Sequence, residues 1–172
     1  QSKAMLAAYD LPIVDERTVA SADAAAEAAN GIGYPVVMKI VSADILHKSE
    51  IGGVILNVQD ADAASEAFGT LMDRAKQHAP NAHVDGIMVA PMIDDGVETI
   101  MGVVRDPVFG PTVMFGLGGV FVEVLKDVTF RVAPFGVDIA HEMIGEVKGR
   151  AMLDGVRGAP PSDVDALAEA LA

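Results

Sequence analysis

The sequence predicts an α+β fold, and three observations support that class. Helix and strand patterns alternate up to about residue 84, and strands then follow one another, which favours a largely antiparallel second half. Apolar residues make up 51% of the 172 residues, which is enough for a packed core and argues against a disordered chain. A chain of this length favours one domain or two small lobes.

Apolar periodicity and capping residues define the elements of the first half. They are a helix over 2–9, a strand over 17–20, a helix from Ser21 to about Gly31, strands over 35–41 and 54–58, a helix over 61–78 after Asp60, and a strand over 84–91. The segment 35–41 is an almost continuous apolar run with one lysine, which is typical of a buried strand. Residues 42–53 are rich in polar residues and glycine, so they predict a loop or a tight hairpin.

Turn residues separate the predicted elements of the second half. A turn at 94–96 precedes strands over 97–105, 111–115, 120–125 and 128–132, and then helices over 137–147 and 162–171. Asp106 stands before Pro107, and an aspartate in this position is a frequent turn former. The stretch 149–161 is rich in glycine and proline and is predicted to be a loop.

Charge and cysteine content exclude several classes of function. The 12 lysines and arginines face 25 aspartates and glutamates, which gives a net charge of −13. Such a surface repels phosphate backbones and anionic membranes, although a local basic pocket for one nucleotide is compatible with it. The chain has no cysteine, which excludes disulfides and thiolate sites and favours a cytoplasmic location. It begins without Met inside a helical pattern, so we expect a piece of a longer protein.

Two features of the first half suggest phosphate chemistry. Lys39 lies within PVVMKIV, and a buried lysine needs an anionic partner; alternatively, strand alternation turns it towards solvent. His47 and Ser49 precede Gly52-Gly53, and paired glycines let backbone N–H groups approach a phosphate closely. His47 is therefore a candidate phosphoryl acceptor or anion ligand, and the alternative is an exposed loop histidine.

The second half supplies candidate acids and one cation. Glu98 lies beside a predicted strand, and Glu123 and Asp127 are four residues apart, which places both on one face of an extended strand as a possible metal pair. The alternative is that these are ordinary surface acids. Arg131 lies within VTFRV and could pair with a phosphate or with Asp127. The run 116–119 is a tight turn, formed with or without a ligand.

Two long runs resemble one family closely. They are GYPVVMKIVSADILHKSEIGGVILNV and GIMVAPMIDDGVETIMGVVRDPVFGPTVMFGLGGVFVEVLKDVTFRVAPF. Together they are similar to the ATP-grasp module of NDP-forming (ADP-forming) acyl-CoA synthetases, relatives of succinyl-CoA synthetase. The resemblance extends from Lys3 to Leu171. It implies an ATP-grasp domain over 1–172 with a nucleotide lobe over 17–90, an incomplete second lobe over 91–172, and a nucleotide cleft between the lobes.

The resemblance also implies a reaction, its cofactors and its partners. The family makes acyl-CoA from a carboxylic acid, CoA and ATP, and it releases ADP and phosphate. The reaction passes through an acyl phosphate and a phosphohistidine on a separate CoA-binding part. The implied ligands are ATP with Mg²⁺, and CoA in the full-length enzyme. The implied partners are CoA-binding and ligase domains of the same or another chain.

Residue by residue, the resemblance assigns roles in the first lobe. Lys39 would contact the nucleotide phosphates, and the loop 42–53, with Ser49, Gly52 and Gly53, would cover them. His47 matches the histidine of the HKS motif, proposed in the family as a second phosphorylation site in a relay.

Further roles concern the adenine and the second lobe. The segment MVAPM, residues 88–92, would be a hinge strand whose backbone at Val89, Ala90 and Met92 faces adenine. In the second lobe Glu98 would contact the nucleotide, and the remaining candidates would line the cleft, namely Glu123 and Asp127 as magnesium ligands and Arg131 as a phosphate contact.

One departure from the family and two alternatives complete these expectations. In the family an E-x-N-P-L strand and a D-A-R strand follow and carry the expected magnesium ligands, whereas this chain ends at Ala172. We therefore expect weak ATP binding and no turnover by this piece alone. One alternative function is a nucleotide-binding regulatory module fused to a GNAT lysine acetyltransferase. Another is a degenerate scaffold, which has no need of Lys39 beside a glycine loop.

Overall fold

The structure is a computed structural model that describes residues 2–119, 122, 124–156 and 158–172. It divides into two compact units, unit 1 over Gln1–Asp94 and unit 2 over Asp95–Ala172. Each unit contains one antiparallel sheet and helices that pack against it. Within the described residues, no helix combines the length and the apolar character that crossing a membrane requires. The predicted α+β class is confirmed.

Unit 1 contains four strands and three helices. In chain order they are α1 (Ser2–Ala7), β1 (Arg17–Val19), α2 (Ala22–Ile32), β2 (Val36–Val41), β3 (Val54–Val58), α3 (Ala61–His78) and β4 (Gly86–Pro91). The strands are ordered β1-β4-β2-β3, and all neighbours are antiparallel. The strands β1 and β2, which flank α2 in sequence, are separated in the sheet by β4, and the strands β3 and β4, which flank α3, are separated by β2. The alternation of helices and strands therefore gives no parallel pair among the described strands.

Side-chain caps and small residues account for the helices α2 and α3. The Ser21 hydroxyl accepts from the Ala24 N–H at 3.2 Å, and the Asp60 carboxylate accepts from the Ala63 N–H at 2.8 Å. Both predicted N-caps are confirmed. The buried faces of these helices consist largely of alanine, which allows close packing, and comprise Ala25, Ala28, Ala29, Ala64, Ala67, Leu71 and Ala75.

The two faces of β2 differ in burial. Val36, Met38 and Ile40 are fully buried in the core beneath α2 and α3. Val37, Lys39 and Val41 alternate with them and are half-buried. The predicted strand is confirmed. The face with Val37, Lys39 and Val41 is partly accessible because α2 and α3 pack against the opposite face, which carries Met38.

Three strands, two α-helices and a short 3-10 helix have defined bounds in the described part of unit 2. They are β5 (Thr99–Asp106), β6 (Gly110–Leu117), β7 (Val128–Val132), α4 (Val137–Glu146), the 3-10 helix Arg150–Met152 and α5 (Val164–Leu171). The order is β5-β6-β7, with antiparallel pairs. Phe115 and Leu117 of β6 pack against Met143 and Ile144 of α4 in a second core.

The predicted turn at Asp106 is confirmed. Its carboxylate accepts hydrogen bonds from the N–H groups of Phe109, at 2.9 Å, and Val108, at 2.8 Å. These bonds lower the pKa of Asp106 because they favour the charged carboxylate. The stabilisation is therefore present above the ordinary aspartate pKa and is lost as the pH falls through the lowered value.

The predicted strand over 120–125 is wrong for its described residues. Val122 is helical, and Val124 and Leu125 lie in a turn and a bend. Residues 120, 121 and 123 lie outside the described part of the chain. The run is apolar, but the described residues have no neighbouring strand with which to pair.

Candidate functional site

Lys39 lies on the face of the unit 1 sheet opposite α2 and α3. Its cross-strand partners are Met88 on β4 and Val54 on β3, and Thr18 on β1 faces Met88. The lysine is half-buried, and no described carboxylate lies within ion-pair distance of it. A partly desolvated ammonium without a protein partner is suited to bind an anion, and a phosphate is such an anion.

The loop between β2 and β3 is fixed at both ends. At its start Ser42 is buried and donates to the His83 carbonyl at 2.6 Å, and Ile45 is buried in the core of unit 1. At its end the Arg74 guanidinium, from α3, donates to the Gly52 carbonyl at 2.7 Å. The tip of the loop between these anchors, residues 46–50, is exposed apart from the half-buried Lys48.

The tip carries His47 and Glu50. The His47 side chain is 77% exposed, and its Nδ1 lies 3.9 Å from Glu50 Oε1. The Glu50 N–H donates to the His47 carbonyl at 3.2 Å, which closes a turn around Lys48 and Ser49. The imidazole is therefore accessible to a reactant from outside the loop.

The glycine pair has a role within the loop itself. The Gly52 N–H donates to the Ser49 carbonyl at 3.1 Å, and the Gly53 N–H donates to the Lys48 carbonyl at 2.7 Å. Gly52 has φ +63°, which favours glycine, and a Cβ on Gly53 would lie 2.8 Å from the Lys48 carbonyl oxygen. In this conformation neither N–H is free for a phosphate, contrary to the sequence-based expectation.

Gly53→Ala is expected to destabilise unit 1 by about 1–3 kcal/mol, because the new methyl group overlaps the backbone of Lys48. Gly69→Ala in α3 is the matched control, because no atom lies within 4 Å of its added Cβ. The control is expected to stabilise the protein by roughly 0.5–1 kcal/mol, through helix propensity. Chemical denaturation followed by circular dichroism measures both, and equal effects would contradict the steric argument.

The backbone of the predicted hinge strand, residues 88–92, pairs with β2 along one edge. Val89 is fully buried, its side chain packs in the core, and it is paired with strands on both sides. Ala90 is buried and pairs with Val37. The Met92 N–H donates to the Pro35 carbonyl at 3.0 Å, which continues the ladder. A side-chain contact of Val89 with a ligand is therefore excluded in this structure, and the adenine assignment stays a prediction.

In unit 2, Glu98 lies against the turn after β6. Its carbonyl accepts from the Gly118 N–H at 2.7 Å. A Cβ on Gly118 would lie 2.6 Å from Glu98 Cγ, and one on Gly119 would lie 3.3 Å from Glu98 Oε2. The glycines thus let the glutamate pack directly on the turn. The carboxylate remains exposed, and its predicted contact with a nucleotide is untested.

Asp127 fixes the loop after α4. It is only 4% exposed, and its two carboxylate oxygens accept from the N–H groups of Lys148 and Gly149, both at 2.8 Å. It precedes β7, so the predicted placement with Glu123 on one strand face is wrong for Asp127. Glu123 itself lies outside the described residues. This arrangement gives Asp127 a structural role, and its predicted role as a metal ligand is untested.

Asp127→Asn is expected to lower the free energy of unfolding by about 1–2 kcal/mol. The amide nitrogen would face a backbone N–H, so one of the two charge-assisted hydrogen bonds is lost. Asp138→Asn, on the exposed first turn of α4, is the control and should change stability by less than about 0.5 kcal/mol. Thermal unfolding without magnesium measures both variants. An unchanged midpoint for Asp127→Asn would contradict the structural role.

Arg131 is paired within unit 2. It shares its sheet face with Val113, which is buried against the helices, and its guanidinium donates to the Glu146 carboxylate of α4. This hydrogen bond raises the pKa of Arg131 and lowers that of Glu146. Of the two predicted partners, Asp127 is wrong, because Glu146 on the next helix supplies the carboxylate. The predicted phosphate contact of Arg131 stays a prediction.

The described residues do not form a metal site. In that part of the chain, no group of three or more histidine, aspartate and glutamate side chains is arranged to hold an ion. Each oxygen of the Asp127 carboxylate accepts a hydrogen bond from a backbone N–H group. The described residues therefore do not by themselves complete a magnesium site.

Two residues were missed by sequence reasoning. Arg74 anchors the glycine turn from 22 residues away, and no local pattern marks such a contact. Glu50 follows His47 by three residues, and this spacing was visible in the sequence as a possible carboxylate–imidazole pair.

The described residues form two α+β units with antiparallel sheets, and the first unit carries a half-buried lysine and a glycine-containing loop. The family model described as ATP-grasp domain matches residues 1–172. The chain therefore belongs to the ATP-grasp domain family, as the sequence resemblance predicted.

Two of the similar proteins are ADP-forming acetate–CoA ligases. The chain is 46% identical over 169 residues to the acetate–CoA ligase (ADP-forming) I subunit beta of Pyrococcus furiosus, covering 98% of this chain and 73% of the relative. It is 47% identical over 167 residues to the acetate–CoA ligase (ADP-forming) I of Archaeoglobus fulgidus, covering 97% of this chain and 24% of the relative. The chain thus spans about a quarter of that longer ligase.

A solved relative is dinucleotide-forming acetyl-coenzyme A synthetase 1 of Ca. Korarchaeum cryptofilum. Its complex with coenzyme A, Ca-AMPCP and HgCl+ matches with a TM-score of 0.94 and 44% identity, over 98% of this chain and 74% of that one. Its complex with coenzyme A and Mg-AMPPCP has a phosphohistidine segment that points towards the nucleotide-binding site. That complex matches with a TM-score of 0.83 and 41% identity, over 98% of this chain and 72% of that one.

Proposed function

We propose that this chain is the ATP-grasp part of an ADP-forming acyl-CoA synthetase. The whole enzyme would convert a carboxylic acid, CoA and ATP into acyl-CoA, ADP and phosphate. The 46% identity to an ADP-forming ligase subunit, over almost the whole chain, supports this class. CoA-binding and ligase domains, on the same or a partner chain, would complete the enzyme. A cytoplasmic location remains a prediction from the absence of cysteine.

One observation in the fold carries the proposal. Lys39 is half-buried on the sheet face opposite the helices and has no described carboxylate partner. Its ammonium would bind the nucleotide phosphates and neutralise charge that develops during transfer, which is the main catalytic contribution in phosphoryl transfer. The assignment of nucleotide binding to the lobe over 17–90 is part of this proposal.

His47 would be the phosphoryl acceptor of this chain. Its imidazole is exposed at the loop tip, and hydrogen bonds of Ser42 and Arg74 anchor the two ends of the loop to unit 1. A neutral imidazole is a competent nucleophile towards phosphorus. His47 would thus pass a phosphoryl group between the nucleotide and a partner domain, as the family relay implies. The magnesium that accompanies ATP in the solved relative would neutralise phosphate charge.

The product nucleotide tests the proposed function. The full-length enzyme with its partner domains is incubated with ATP, CoA and a series of carboxylic acids, and ADP, AMP, phosphate and acyl-CoA are measured. We expect ADP and phosphate in equal amounts with acyl-CoA, dependent on both CoA and the acid. Formation of AMP and pyrophosphate, or no acyl-CoA with any acid, would contradict the proposal. Lysine acetylation from acetyl-CoA without acyl-CoA synthesis would favour the regulatory alternative.

A further inference from the structure

The tip of the β2–β3 loop carries a carboxylate to which the proposed function assigns no role. Glu50 Oε1 lies 3.9 Å from His47 Nδ1, and the turn between the two residues holds both side chains on one side of the loop. Within the described residues, no other carboxylate lies within ion-pair distance of His47. The Glu50 side chain makes no hydrogen bond there, so nothing ties it to the stability of the loop.

The chemistry of imidazole gives this pair a function. A neutral histidine carries its proton on one ring nitrogen and a lone pair on the other, and the partner of one nitrogen decides which is which. A carboxylate beside Nδ1 favours the proton there, which leaves the lone pair on Nε2. The 3.9 Å separation is longer than a hydrogen bond, and both side chains are exposed, so we expect the hydrogen bond to form when the phosphoryl group is transferred.

We propose that Glu50 is a positioning residue for His47, which holds the Nδ1 proton so that Nε2 accepts the phosphoryl group. This inference rests on the proposed function, because it requires that His47 is phosphorylated. It assigns a role to a side chain of the loop, and it fixes the chemical isomer of the phosphohistidine.

The step balances as a simple displacement. The Nε2 lone pair of His47 attacks the γ-phosphorus of ATP, and a P–N bond forms. The bond between phosphorus and the β–γ bridging oxygen breaks, and its electron pair leaves with ADP. The Nδ1 proton stays on the ring, which becomes a phosphorylated imidazolium, and the Glu50 carboxylate offsets that positive charge.

The experiment reads phosphorylation at His47 itself. The full-length enzyme with its partner domains is incubated with γ-labelled ATP, quenched at alkaline pH and digested with trypsin. Cleavage after Lys39 and Lys48 releases the peptide 40–48, whose single histidine is His47. Its label is therefore separate from that of any partner phosphohistidine.

Two quantities are compared between the wild type and three variants. They are the rate of labelling and the ratio of Nε2 to Nδ1 isomers, which ³¹P NMR of the peptide gives. The variants are Glu50→Gln, Glu50→Asp and the control Glu66→Gln, which changes an exposed residue of α3.

We expect the wild type to carry the label on Nε2. Glu50→Gln should slow labelling roughly two- to fivefold, the factor that an exposed charge pair supports, and should raise the Nδ1 fraction. Glu50→Asp should recover part of the rate, and Glu66→Gln should match the wild type.

Two outcomes overturn the inference, and only the second also overturns the role of His47. Equal rates and equal isomer ratios in the wild type and Glu50→Gln overturn the role of Glu50 alone. An unlabelled peptide in the wild type overturns the acceptor role of His47 and the role of Glu50 with it, whereas ADP-forming acyl-CoA synthesis is tested separately by its products. Because Glu50 is exposed, Glu50→Gln is expected to keep the thermal midpoint of the wild type, and circular dichroism checks this.

Discussion

His47→Ala is expected to abolish acyl-CoA formation by the full-length enzyme and to leave its affinity for Mg-ATP within about twofold. The imidazole is 77% exposed and contributes no described hydrogen bond to the fold, so its removal should not disturb the structure. Its nitrogen is nevertheless the proposed acceptor, and no described side chain on the loop tip can replace it as an imidazole nucleophile. The phosphoryl group would then have no route through this chain.

Two measurements together test this expectation. Calorimetry gives the Mg-ATP affinity, and a coupled assay gives the rate of acyl-CoA formation in the wild type, His47→Ala and His83→Ala. His83 is the matched control, because it is an exposed histidine of the same unit whose Nε2 pairs with Asp85. The control should retain full activity. Undiminished turnover in His47→Ala would refute the relay role of His47.

Lys39→Ala is expected to weaken Mg-ATP binding by roughly 10- to 100-fold. A hydrogen bond between a charged donor and a phosphate contributes about 1.5–3 kcal/mol, and the half-buried position reduces screening by solvent. The loss of the ammonium should not destabilise unit 1. The side chain has no described ion-pair partner, and its cross-strand neighbours, Val54 and Met88, are apolar.

Two control variants distinguish a direct contact between Lys39 and the nucleotide phosphates from an effect of the net charge of the protein. Lys76→Ala removes an exposed lysine from the last turn of α3 and tests the effect of net charge alone. Lys39→Arg keeps the charge and should retain part of the affinity. Calorimetric titration of each variant with Mg-ATP gives the comparison. An affinity for Lys39→Ala equal to that of Lys76→Ala would mean that Lys39 does not contact the phosphates.

The sequence by itself determined the local structure of this protein. The caps at Ser21 and Asp60 and the turn at Asp106 are contacts between residues at most three apart, so residue type and spacing suffice to predict them. Alternation along β2 also placed Lys39 on a face different from that of Met38. The long combined motifs predicted the ATP-grasp family, which the family match confirms.

Only the tertiary structure decided which distant groups meet. The interleaved strand order, the capture of the Lys148 and Gly149 N–H groups by Asp127, and the pairing of Arg131 with Glu146 join residues 15 or more positions apart. The sequence suggested Asp127 as a metal ligand and as a partner of Arg131, because chain order does not reveal which backbone donors or carboxylates a fold brings near. Asp127 binds two backbone N–H groups and Arg131 pairs with Glu146 within unit 2, whereas Lys39 faces apolar neighbours across the sheet and its ammonium can bind an anion.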